Sequence, residues 1–81
     1  MGVKYVVAII LPESMAYAMS FNTLREAEEY AEEKKDSPAV TKIHIRRVSV
    51  YEGRNGEELV GESEVLAVWV KTIYGWFCDY P

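Results

Sequence analysis

Apolar residues occupy both parities of the stretch from Val3 to Leu11. Val3, Tyr5, Val7, Ile9 and Leu11 share one parity, and Val6, Ala8 and Ile10 the other. Successive side chains of a strand point to opposite faces. The stretch therefore predicts a central strand, covered on both sides or set beside a partner chain. Pro12-Glu13 marks a turn. From Ser14 to Phe21 the alternation is clean: Met15, Tyr17, Met19 and Phe21 form a large-residue face, and Ser14, Ala16, Ala18 and Ser20 a small one. That pattern predicts a strand with its large face in the core. The short link predicts that the two strands pair as an antiparallel hairpin.

The period then changes. Thr23-Leu24-Arg25-Glu26 is a capping box, in which the Thr23 hydroxyl accepts from the Glu26 amide and the Glu26 side chain reaches back. A helix to about Lys35 follows, with a narrow apolar stripe of Leu24, Ala27, Tyr30 and Ala31. Its glutamates come early and Lys34-Lys35 late, which suits the helix dipole. Asp36-Ser37-Pro38 ends it, because a residue before proline avoids the α region.

Val40 to Tyr51 predicts a long strand with a defect. Ile43 and Ile45 have one parity and Val48 and Val50 the other, so a β-bulge is expected at Arg46-Arg47. Gly53-Arg54-Asn55-Gly56 predicts a type I′ hairpin turn, with Glu57–Val60 as the return strand. Gly61-Glu62-Ser63 reads as an interruption by a bend or bulge. Val65 to Tyr74, rich in β-branched and aromatic residues, predicts the last strand rather than a helix. The expected fold class is α+β: a mostly antiparallel, twisted sheet of four to five strands packed on one α-helix, in the order β-β-α-β-β-β. Residues 1–81 form a single domain, with 73–81 as an aromatic C-terminal tail.

Composition narrows the function. A chain of 81 residues buries roughly 60–65 % of its unfolded surface, so its core is thin. Apolar residues make up 49 %, enough for a core without staples. Cys78 is the only cysteine, which excludes an intrachain disulfide and favours a reducing compartment. Net charge is −4 and the pI about 4.9, against a general affinity for nucleic acid or anionic lipid. No apolar run approaches the roughly 20 residues of a spanning helix. Lys4, the run Tyr5–Leu11 and Ala16-Tyr17-Ala18 imitate the three parts of a signal peptide. The run is of minimal length, however, Glu13 stands close to the site, and cleavage would remove the central strand. A cytoplasmic location is the expectation.

Candidate chemistry is sparse. His44 and Cys78 are the only soft metal ligands, where structural zinc wants four, so no metal and no cofactor are expected. The same two residues are the only candidates for a nucleophile with its base, and they read instead as a strand surface residue and a small apolar one. Glycines fit a hairpin, not a phosphate loop, and no carboxylate pair stands out. The chain is not expected to be an enzyme. Lys42, His44 and Arg46 share one strand face, with Arg47 beside them, which supports as an alternative a weak nucleic-acid binder. A second alternative is a small-molecule or peptide binder with a pocket between sheet and helix or at a dimer interface.

The aromatic residues carry the first reading. Trp69, Tyr74, Trp76, Phe77 and Tyr80 crowd one end of the chain, and tryptophan and tyrosine are enriched in binding hot spots. An alanine-lined helix covers little sheet, so apolar surface is left over for a protein partner or a second copy of the chain, as in a homodimer. The residues expected to bind are Trp76, Phe77, Tyr80 and Tyr74, with Glu28, Glu29 and Glu32 as a second, acidic surface.

The stretch Phe21-Asn22-Thr23-Leu24-Arg25-Glu26-Ala27-Glu28-Glu29-Tyr30-Ala31, a strand running into a capped acidic helix, resembles a pattern of small accessory proteins of phages and mobile elements. Anti-CRISPR proteins are among them. The resemblance lies in the order of elements over most of the chain and implies an inhibitor that binds a host defence protein. It assigns no functional residues.

Overall fold

A computed structural model describes residues 2–80, apart from the side chains of Ser14 and Tyr80. The chain runs β1 (Gly2–Ile10), a 3₁₀ turn (Pro12–Ser14), β2 (Ala16–Phe21), α1 (Leu24–Lys34), β3 (Lys42–Glu52), β4 (Glu58–Thr72) and β5 (Gly75–Tyr80). The strands form one antiparallel sheet in the order β2-β1-β3-β4-β5, and α1 packs on it. This is the expected α+β class and element order.

The helix starts where the capping box puts it. Thr23 Oγ1 accepts from the Glu26 amide at 3.2 Å and donates to Glu26 Oε1 at 3.0 Å. Ala27 and Ala31 are its only buried residues and rest on β1 and β3. They close a core of Val7, Ile9, Ile43, Ile45 and Val40. Alanine lets the helix approach the sheet closely but shields little of it. Tyr30 adds a flank toward β2, its ring 5.1 Å from that of Phe21.

Several expectations give way here. The β1–β3 register runs without a shift from Gly2↔Val50 to Ile10↔Lys42, so β3 carries no extra residue at Arg46-Arg47. Ile43 and Ile45 face the helix, and Val48 and Val50 face the other way. The irregularities lie opposite, between Ile45/Arg46 and between Val48/Val50 in the β3–β4 ladder, where β4 takes up the additional residues. Gly61-Glu62-Ser63 does carry the expected irregularity, since Val60 pairs with Val50 and Ser63 with Val48, leaving Gly61 and Glu62 opposite Ser49, but the strand runs through it as one of 15 residues. Residues 73–80 are not a tail, since the chain turns at Ile73-Tyr74 and returns as β5; Pro81 lies outside the described residues. The turn at Gly53–Glu57 is not type I′, because Asn55 keeps a non-positive φ and only Gly56 is left-handed, at +81°. Gly53 N donates to Glu57 O (2.7 Å) and Gly56 N to Gly53 O (3.2 Å), the pattern of a three-residue loop closed by a left-handed glycine.

Met15, Tyr17 and Met19 are the remaining correction. They do face the helix side, yet they are 62, 42 and 47 % exposed. The helix packs chiefly on β1 and touches β2 and β3 on either side, but its slim alanine stripe leaves most of the edge strand β2 uncovered.

Candidate functional site

The two tryptophans have separate neighbours from the other C-terminal rings. Trp69 pairs with Ile43 and Cys78, and Trp76 with Lys71, which sets both indoles on the helix side. The Trp76 indole N–H donates to Lys35 O at 3.0 Å, satisfying a carbonyl at the helix end that has no intrahelical donor. Lys35 Nζ lies 3.3 Å from the Trp69 ring centroid and donates to Glu32 Oε1 at 2.7 Å. Lys71 Nζ reaches Pro38 O at 3.4 Å. Trp76 is half-buried and fastens the end of α1 to β4 and β5.

The neighbouring residues project outward. Thr72 pairs with Gly75 across a tight turn. Thr72 Oγ1 donates to Gly75 O (2.8 Å) and accepts from the Tyr74 amide (3.1 Å). Gly75 takes the positive φ, at +116°, so the backbone between them makes no demand on side-chain type. Even so, the tip carries Ile73 and Tyr74, which are 92 and 94 % exposed. Phe77 pairs with Val70 on the face away from the helix and is 60 % exposed. Tyr80 pairs with Val68 through its backbone; its side chain lies outside the described residues. Of the aromatics singled out by sequence, Tyr74 and Phe77 are exposed near the tip, and Trp76 is turned to the helix. Ile73 was not singled out, and its only signal is an isoleucine in a turn.

The acidic residues stand apart from that tip. Glu29 accepts from Arg25 Nε at 3.1 Å, and Glu32 is held by Lys35. Glu28 and Glu32 line a shallow depression of about 100 Å³ with Ala31, Ile45, Ala67 and Trp69. Ligand pockets run to roughly 300–1,000 Å³, so this space between sheet and helix is too small for one. A larger hollow of about 280 Å³ lies at the far end of the sheet, lined by Gly2, Val50, Tyr51, Glu52, Gly56 and Glu58.

The basic residues do not form one surface. Lys42, His44 and Arg46 lie on the open face, whereas Arg47 lies on the helix side and pairs with Glu64. Arg46 Nη1 donates to Ser63 Oγ at 3.4 Å. His44 stands between Ala8 and Val68, and its Nε2 is shielded without a hydrogen-bond partner. Burial first, then Lys42 and Arg46, holds its pKa below the usual histidine value. Cys78 is on the opposite face, two strands away, so His44 and Cys78 cannot act together. Among the described residues no group of three His, Cys, Asp or Glu could hold a metal ion. Among the described residues no helix is long and apolar enough to cross a membrane.

Comparison with protein-family models, with curated proteins and with solved structures finds no match to this chain.

Proposed function

We propose that this protein is a non-enzymatic binding module that docks on another protein through the β4–β5 tip. One observation carries the reading: Ile73 and Tyr74 stand almost fully in water at a turn whose backbone requires neither. Large apolar and aromatic groups held out on a rigid hairpin lose little conformational freedom on binding and gain much by desolvation. Phe77 extends the surface along the open face. The net charge of −4, with Glu28, Glu29 and Glu32 on the helix, steers the module toward a basic partner. The resemblance to phage and mobile-element accessory proteins makes a host defence protein the first partner class to try, with the module as its inhibitor.

The test is affinity capture from the organism that encodes the chain, comparing the wild type with the triple variant Ile73→Ser, Tyr74→Ser, Phe77→Ser. The expected result is one protein held stoichiometrically by the wild type and lost by the variant, with the melting temperature nearly unchanged. A partner retained equally by the variant, or no protein retained by either, overturns the reading.

A further inference from the structure

We propose that two copies of this chain join edge to edge through β2, antiparallel about a two-fold axis at Tyr17, so that the two five-stranded sheets become one. This goes beyond the tip, which lies at the opposite edge of the sheet, and stands independently of it.

The backbone is the first reason. Leu11 N donates to Met15 O at 2.8 Å, which marks their pair as hydrogen-bonded. Bonded and non-bonded pairs alternate in an antiparallel ladder. Tyr17 and Met19, opposite Ile9 and Val7, therefore turn their N–H and C=O groups inward to β1. Ala16, Ala18 and Ser20 turn theirs outward, where the sheet ends. An axis at Tyr17 sets Ala16 of one copy opposite Ala18 of the other, both with outward groups, and each pair exchanges bonds in both directions. Registers offset by half a step would set outward groups against inward ones.

The sequence is the second reason. Ser14-Met15-Ala16-Tyr17-Ala18-Met19-Ser20 reads the same in both directions. About an axis at Tyr17, Met15 faces Met19, Ala16 faces Ala18 and Tyr17 faces itself. Large residues meet large ones on the helix side and small meet small on the open side. No charged residue occurs between Glu13 and Arg25, so nothing repels a second copy from this edge. Exposed sheet edges normally carry such a guard.

The helix supplies the third. The Tyr30 side chain lies beside Tyr17 and 5.1 Å from the Phe21 ring, which places it on the flank near the axis. Glu26, Tyr30 and Lys34 form one i, i+4 row on that flank. The two-fold runs the helices antiparallel on one face and brings the Glu26 end of each to the Lys34 end of the other. A stable dimer needs roughly 800 Å² per partner, about a seventh of the protomer's 5791 Å². A short strand edge falls short of that. The exposed Met15, Tyr17 and Met19 with the helix row make up the difference, since they fill the space between the two helices. The interface is isologous and uses up the edge, so assembly closes at two.

Sedimentation equilibrium up to millimolar concentration tests this, with the mass expected to approach twice 9.3 kDa. Ala18→Pro removes an outward N–H that the protomer does not use and should return the mass to one copy, with the circular dichroism of a folded sheet. In a Cys78→Ser background, Tyr17→Cys should crosslink under mild oxidation. Its Cα atoms would lie roughly 4.5 Å apart across the axis, within disulfide reach. Ser20→Cys should stay uncrosslinked, even if Ala18→Pro proves not to fold. A single-copy wild type, open-ended growth, or a dimer in which Tyr17→Cys fails to crosslink overturns the proposal.

Discussion

The two long edges of the sheet are finished in opposite ways. At one, β2 offers six residues in a row with no charge, no proline and no irregularity. At the other, β4 runs past the end of β5 with Glu62 and Glu64 on a stretch broken by two register shifts, and β5 has its own shift and Asp79. Charges and bulges are what keep sheet edges from pairing with strangers. A chain that guards one edge thoroughly and leaves the other bare distinguishes between them, and the bare edge is the one at which pairing is proposed.

The edges are also fastened differently, and the largest predicted effect tests that. β5 is tied to the helix through Trp76. Trp76→Ala removes a large packed side chain and leaves the Lys35 carbonyl without its donor. It should cost about 3 kcal/mol in urea unfolding. Trp76→Phe keeps most of the packing and should cost nearer 1 kcal/mol. Equal losses would mean that the packing contributes nothing beyond the hydrogen bond.

Stripping the guard from the far edge comes next. Glu62→Val with Glu64→Val removes two exposed carboxylates and the Arg47 ion pair, worth at most about 1 kcal/mol to the fold. The informative readout is light scattering against concentration. The variant should form higher assemblies that the wild type does not, because it then has two open edges instead of one. Unchanged scattering would show that the bulges alone guard β4.

The smallest effect belongs to His44 on β3, midway between the edges. Burial and the flanking Lys42 and Arg46 lower its pKa in the folded state, while the unfolded chain regains about 6.5. Below 6.5 the unfolded state therefore binds more protons, and acid favours unfolding. The contribution of His44 is complete above pH 6.5 and is lost as pH falls through the folded value. His44→Leu should flatten the fall in melting temperature between about pH 8 and pH 5 relative to the wild type. Parallel curves would show that His44 is not the group responsible.

How far the residues alone lead follows from which physics is local. The doubly apolar parity of β1 is enough to place it inside a sheet, and Thr23 with Glu26 is enough to start α1. Both depend on near neighbours, and both are seen. The position of an extra residue in a ladder depends on two strands at once, and the parity conflict of Ile45 and Val48 is settled by β4, not β3. β5 is hidden because Ile73-Tyr74 has none of the usual turn chemistry except Gly75. Alternation in β2 correctly assigns the faces of Met15, Tyr17 and Met19. It cannot show that the helix, slim and alanine-lined, leaves them largely exposed. Trp76 and Phe77 are adjacent in sequence and point to opposite faces, so an aromatic cluster read along the chain splits into an anchor and an exposed ring.

The corner where Trp76 meets the end of α1 has a practical consequence. Both indoles of the chain are there, one beneath an ammonium group and the other hydrogen-bonded to a carbonyl. Intrinsic tryptophan emission is thus a local gauge of whether the helix terminus is seated. Occupancy of the distant β2 edge should leave the spectrum still, and undocking of the helix should move it before the strands separate.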